Sequence, residues 1–226
     1  MKHPLRWILG GLAIVIVAVA GFGIWYVLGD DAPAAPSLSA TPDTTTAGGP
    51  ETPDGLWRVA PGDDVYVGYR IKETFAGDTI KKDAVGRTPA VTGTLVIVGN
   101  KVESASVTAD LAELKSNRAT RDNYIKNNGL ESAKFPEAKF VLAKPIELAS
   151  VEKGQTVKAD AQGTLTVHGV SKAVTIPVEA RWNGTTIEVA GTTPIVLADY
   201  GISAPSTSVV SVDDNGSMEL KLTFAK

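Results

Sequence analysis

Residues 163–182 read GTLTVHGVSKAVTIPVEARW, and their alternation decides the fold class. Leu165 and Val167 alternate with Thr164, Thr166 and His168. Beyond Gly169, Val174, Ile176, Val178, Ala180 and Trp182 alternate with Thr175, Pro177, Glu179 and Arg181. A period of two marks strands with one buried and one wet face, as in antiparallel sheets. The same period recurs outward from this stretch. Val65, Val67, Tyr69 and Ile71 are set against Tyr66, Gly68, Arg70 and Lys72, and Met218, Leu220, Leu222 and Phe224 against Glu219, Lys221 and Thr223. Turn signals at Gly99-Asn100, Asn183-Gly184 and Asp213 to Gly216 separate these runs. About eight strands of ordinary length result. Their periodicity points to an antiparallel barrel or a sandwich without choosing between them.

The two ends of the chain differ in kind. Lys2 and Arg6 precede an apolar run from Trp7 to Leu28, with Trp7, Trp25 and Tyr26 near its ends. At about 22 residues the run is long enough to span a bilayer as a helix. The positive flank before it, and Asp30 and Asp31 after it, place the rest of the chain outside the cytoplasm. Residues 1–29 are therefore expected to be an uncleaved transmembrane anchor. Ala18-Val19-Ala20 offers the alternative of a signal cleavage near residue 20, which would leave a secreted protein. Residues 30–54, DDAPAAPSLSATPDTTTAGGPETPD, have almost nothing to bury and read as a disordered linker. Its reach is roughly 28 Å as a flexible coil and nearly 80 Å, very roughly, if polyproline-like. Residues 55–226 form the folded domain.

One region breaks the strand pattern. Between Leu111 and Phe140 the chain reads as a short helical insertion, with Ser116 or Asn117 available as a cap and Gly129 as a stop. In a barrel it would lie across one mouth. Arg121 and Asp122 are adjacent on it and so do not face each other; each is expected to bond elsewhere.

The composition removes several chemistries. A net charge of −3 with scattered basic residues gives no nucleic-acid footprint. The absence of cysteine removes disulfides, thiolate metal sites and cysteine nucleophiles. No zinc-hydrolase, Walker or nucleophile-elbow motif occurs, and Ser150-x-x-Lys153 stands in a turn without supporting motifs. Asn183-Gly184-Thr185 matches a glycosylation sequon but is better read as a hairpin. There are two histidines, and only His168 lies in the domain. It could be a metal ligand, a headgroup contact, or a rim residue bonded to loop backbone; the last reading fits the strand end best.

The segments TRDNYIKNNGLESAKFPEAKF, GTLTVHGVSKAVTIPV and LADYGIS, in this order and spacing, resemble the YceI-like family of bacterial polyisoprenoid-binding proteins. The likeness covers about residues 56–226. Ser171 stands at a usual Thr position, Tyr124-Ile125 replaces the usual His-Leu, and the usual Asp-x-x-His-Ser opening is missing. The resemblance implies an all-β, eight-stranded antiparallel lipocalin-like barrel with the helical insertion. It also implies a polyisoprenoid ligand, a polyprenyl or an isoprenoid quinone, and no other cofactor. The low aromatic content, 6%, is consistent with an unfilled interior. A barrel of this size holds one slender ligand.

On this reading Val65, Val67, Tyr69, Ile71, Phe140, Leu142, Leu165, Val167, Ile176 and Val178 would line the cavity. Arg118, Arg121, Asp122, Phe135 and His168 would form the rim and lid. The expected function is a membrane-tethered, extracytoplasmic, non-enzymatic lipid-binding module. Two alternatives stand beside it: a ligand-free envelope interaction module, and an enzyme using His168 with Asp122 or Asp199. Oligomeric state has no signature in the sequence.

Overall fold

The computed structural model describes residues 32–40, 51–75, 80–148, 151–208 and 210–226. The Trp7–Leu28 run expected to be an anchor lies outside them. No helix among the described residues is long and apolar enough to cross a membrane. The chain divides into two units, Met1–Pro33 and Ala34–Lys226, and the second carries the fold.

Alternating residues build a single antiparallel sheet that closes on itself as an eight-stranded barrel. β1 (Gly55–Val59) and β2 (Tyr66–Phe75) form one bent stave, and β3 (Ile80–Thr88) with β4 (Val91–Val98) forms the next. β5 (Lys101–Asp110) follows, then a two-residue β6 (Lys115–Ser116) on the edge of β3. β7 (Glu137–Leu142) and β8 (Ile146–Glu147) share the fourth stave. β9 (Thr156–Val167), β10 (Val170–Trp182), β11 (Thr186–Val196) and β12 (Val210–Ala225) complete the ring, with β12 pairing back to both β1 and β2.

The β9–β10 hairpin is the longest uninterrupted ladder in this half, running from Val170↔Val167 to Arg181↔Thr156. His168 and Gly169 form its two-residue turn with φ of 52° and 73°. Two positive φ values are what a type I′ turn requires, and histidine is among the few non-glycine residues that tolerate this region. Gly99-Asn100 and Asn183-Gly184 also turn hairpins as expected. Asn183 Oδ1 accepts from the Thr185 and Thr186 amides, so that side chain is spent on the turn.

Asp213 to Gly216 departs from expectation. It is not a turn but part of β12, paired to β11 through Val196↔Asn215, with a register shift against β2 between Val212 and Gly216. The polar cluster is tolerated mid-strand because the bulge lifts it out of the β2 ladder.

The ring has a seam. The β7–β9 ladder runs only over Lys139–Leu142 and Gly163–Thr166, with one further bond from Ala143 N to Gln162 O. Below that level β8 pairs with β5 and has no ladder to β9 among the described residues. Pro145, between β7 and β8, lacks the N–H that continued pairing would need.

Composition predicts no fixed structure for residues 30–54. Residues 34–40 carry no helix or strand but are bonded along the outer wall. Arg87 Nη2 donates to the Ala34 carbonyl at 2.6 Å, and Arg181 Nη2 donates to the Ser39 carbonyl. Ser39 N and Oγ donate to Glu188 Oε1 at 2.9 and 2.5 Å. Burial alone would raise the Glu188 pKa. The Ser39 hydrogen bonds and the Lys221 and Arg181 charges more than offset this and hold it below its ordinary value of 4.5. A depressed carboxylate stabilises the bound form above pH 4.5, and that contribution is lost as pH falls through the depressed value. The Ser39 amide resonance is therefore expected to hold steady near neutrality and to move towards its free-chain position below about pH 4.5. A Ser39 amide insensitive to pH down to 3, on the same rough scale, would show that Glu188 does not hold the strap.

Candidate functional site

Inward side chains form two packed clusters with a space between them. One gathers Trp57, Val65, Val67, Leu95, Ile97, Trp182, Ile187, Leu222 and Phe224 near the β10–β11 turn. The other gathers Leu111, Ala138, Ala161, Leu165, Val167, Ile176, Tyr200, Ile202 and Met218 towards the opposite end. Between them and down to the first end lies a cavity of about 160 Å3.

The cavity exists because small residues face it. Ala105, Ala109, Ala138, Ala159, Ala161 and Ala180 all contribute to its wall. Gly163 leaves room for the Phe140 ring, which a Cβ at that position would meet. The wall is almost wholly apolar. Lys139 and Arg181 touch it, but Lys139 is exposed on the outer face and the Arg181 guanidinium is bonded outside to Glu188, at 3.0 Å. The seam falls on this cavity: Ile146, Leu148 and Val151 line it from one side, Val157, Ala159 and Ala161 from the other.

Six of the ten expected lining residues line it: Val67, Phe140, Leu142, Leu165, Ile176 and Val178. Val65 is buried in the first cluster and Val167 in the second, neither on the cavity wall. Tyr69 and Ile71 point inward beyond its far end, outside the wall. The Tyr69 hydroxyl is buried without a partner, and burial pushes its pKa well above the ordinary value of 10.0. Such a hydroxyl has lost its water bonds and made none in return. Tyr69→Phe is accordingly expected to be neutral or to stabilise by up to about 1 kcal/mol in urea unfolding. A loss above about 1.5 kcal/mol would show that the hydroxyl is in use.

The expected rim residues come together at the end away from the cavity. α1 (Ala119–Tyr124) continues as a π-helical turn, Ile125–Gly129, and no residue between 111 and 136 lines the cavity. The insertion is a plug at the far end rather than a cover over the apolar space. Neither Ser116 nor Asn117 is its N-cap; Arg118 is, without a side-chain bond. Ser116 N and Oγ instead donate to Asp122 Oδ1 at 2.9 and 2.6 Å. Arg121 reaches into the barrel. Its Nε and Nη2 donate to Glu73 Oε1 and Oε2, both at 2.7 Å, in a bidentate fork. Arg121 and Asp122 do bond elsewhere, as their adjacency implies. Arg118 lies 5.4 Å over the Phe75 ring.

Glu73 is the residue that sequence reading missed. It continues the inward series Val65, Val67, Tyr69, Ile71, so a carboxylate on the buried face was the available signal.

His168 is held on both nitrogens. Nδ1 lies 3.0 Å from the Tyr200 carbonyl and Nε2 2.9 Å from Glu131 Oε2. Phe135 packs edge-on against its ring, with centroids 4.4 Å apart, over the side-chain-free Gly169. The turn, the insertion and the 3-10 segment Leu197–Tyr200 are thus pinned at one point. Of the carboxylates considered as catalytic partners for His168, Asp122 bonds Ser116 and Asp199 faces Lys172 at 3.5 Å. Neither meets the histidine.

With this geometry in hand, similarity to known proteins becomes informative. A family model described as YceI-like domain matches residues 59–224. A UPF0312 protein of Pseudomonas putida is 34% identical over 128 residues, 53% of this chain and 64% of that protein. A UPF0312 protein of Vibrio parahaemolyticus is 36% identical over 110 residues, 46% of this chain and 55% of its own length. The chain thus spans between about half and two thirds of the length of these curated relatives. Among solved structures, a polyisoprenoid binding domain from Saccharophagus degradans superposes with TM-score 0.58 at 16% identity, covering 75% of this chain and 97% of that one. Burkholderia cenocepacia BcnA superposes with TM-score 0.52 at 20% identity, covering 69% and 95%. At these identities the superpositions establish the shared barrel.

Proposed function

Since the chain belongs to the YceI-like domain family, we propose that it is a lipid-binding protein that holds a polyisoprenoid chain in its barrel, tethered to a membrane on the extracytoplasmic side. The observation that carries this is the cavity wall, apolar from the barrel centre to the seam. Burying an isoprenoid against it is favourable by roughly 25 cal/mol per Å2 of apolar area, less ordering costs. The named property of the Saccharophagus degradans domain supports the ligand class.

Size sets a condition. A space of about 160 Å3 resembles an engineered cavity that takes one benzene, and lies below the 300–1,000 Å3, in round figures, of pockets for drug-sized ligands. A short apolar segment fits as the barrel stands. A longer chain fits by parting β8 from β9, between which no ladder runs among the described residues. The wall is almost wholly apolar and His168 is bonded elsewhere on both ring nitrogens, so binding rather than turnover is the reading. The tether rests on the Trp7–Leu28 run and its flanking charges.

The test is native purification of the full chain in mild detergent, followed by solvent extraction and mass spectrometry. One isoprenoid per chain supports the reading. A folded protein that carries none, and takes up none when offered a polyprenyl quinone, ends it. Alkaline carbonate extraction of membranes tests the anchor, which predicts retention in the pellet.

A further inference from the structure

One residue of the cavity wall, Trp182, carries a buried polar atom whose hydrogen bond is missing. Among the described residues, the buried polar atoms without a partner include the Tyr69 and Ser132 hydroxyls and the Trp182 indole Nε1. Of these three, only Trp182 belongs to the cavity wall. Trp182 is 3% exposed, and its backbone is fixed, with its carbonyl accepting from Gly154 N at 2.7 Å. A buried N–H left unpaired is costly, and the usual explanation is a partner that arrives with a ligand.

A second donor stands beside it. The Lys153 ammonium lies 5.5 Å from the centre of the Trp182 ring, on a side chain exposed to solvent. It sits on the β8–β9 loop two residues after Val151, which lines the cavity at the seam. Gly184 lets it approach: a Cβ there would be 3.3 Å from Lys153 Cε. Indole and ammonium are both donors without acceptor capacity. What they complement is an oxygen acceptor on a ligand whose remainder is hydrocarbon.

The geometry points to Trp182 and Lys153 as the headgroup site of the barrel, with Trp182 Nε1 donating to a carbonyl or phosphate oxygen while the isoprenoid tail occupies the apolar space beyond. This rests on the isoprenoid reading above and gives it a direction: head at the seam end, tail towards Leu165 and Ile176. The plugged end, with His168 and Arg121, then has no part in headgroup choice.

The experiment titrates the full chain in detergent with three probes: a four-isoprene quinone, geranylgeranyl monophosphate, and squalene, which has no head. Trp182→Phe removes the N–H and trims the indole to a single phenyl ring, and squalene reads the packing part of that change. The substitution is expected to weaken the oxygen-bearing probe that binds wild type by roughly tenfold, and to leave squalene unchanged. Lys153→Gln separates the two oxygen sources: a matching loss for the phosphate identifies an anionic head, and a loss confined to Trp182→Phe with the quinone identifies a carbonyl. As a check independent of folding, the Trp182 indole 15N–1H resonance should shift on adding the headed probe and not on adding squalene. Unchanged affinities in Trp182→Phe, or an equal loss for squalene, would overturn the assignment and leave the isoprenoid reading standing. Failure of wild type to bind any probe would overturn both.

Discussion

Ala161→Phe is expected to abolish isoprenoid binding while leaving the barrel folded. Ala161 faces inward on β9, is buried, and belongs both to the cavity wall and to the cluster of Leu165, Ile176 and Met218. The void it borders, about 160 Å3, is close in size to one known to take a benzene ring. A phenyl group at 161 therefore enters space that is already present, instead of forcing neighbours off their rotamers. Filling such a space commonly stabilises by about 0.5–2 kcal/mol, against about 1–3 kcal/mol lost when a packed core is overfilled. The expected pair of results is a melting temperature equal to or a few degrees above wild type, roughly as small stability gains translate, and lipid occupancy reduced at least tenfold, to order of magnitude. Leu165→Ala is the control. It enlarges the same space, costs about 2–5 kcal/mol, and preserves binding in whatever fraction stays folded. Undiminished lipid in folded Ala161→Phe would mean that the ligand sits elsewhere.

Arg121→Ala carries the largest expected loss of stability. The fork from Arg121 to Glu73 is nearly closed to water, with side chains 12% and 10% exposed. Burial lowers the guanidinium pKa, and the hydrogen bonds and charge of Glu73 more than restore it. Removing the arginine leaves the Glu73 carboxyl buried on the inner face of β2 with nothing to replace the pairing. Losses of about 3–5 kcal/mol are typical when one member of a buried pair is deleted. Adding Glu73→Leu to an Arg121→Met background should recover most of that loss, because the apolar pair needs no desolvation. Both are read from urea unfolding. A loss below about 1 kcal/mol would place the fork among ordinary surface pairs. Lipid occupancy of the double variant should match wild type, since neither residue lines the cavity.

These two expectations show which parts of the molecule were legible in one dimension. Alternation along residues 163–182 and its repeats specified strands, faces and the inward identity of Leu165, Ile176 and Val178, because side-chain direction in a strand depends only on parity. The turn at Asn183-Gly184 was legible for another local reason, the residue types that tolerate the backbone of a tight turn. Asp213 to Gly216 was not. Whether such a cluster turns the chain or bulges within a strand depends on β2 and β11 lying on either side of it, and that is a matter of sheet pairing.

The site divides in the same way. The apolar character of the interior follows from sequence, but where the space lies does not. It is set by which alanines meet across the barrel, by Gly163 admitting Phe140, and by the failure of β8 to pair with β9. The same holds for Glu73. Its inward parity was readable, while its partner, 48 residues away on α1, emerged only when the insertion folded over the barrel end. Parity is local and survives in a linear string. The position of a cavity, an ion pair across elements and an unpaired indole N–H are sums over distant residues, and only the closed barrel brings those residues together.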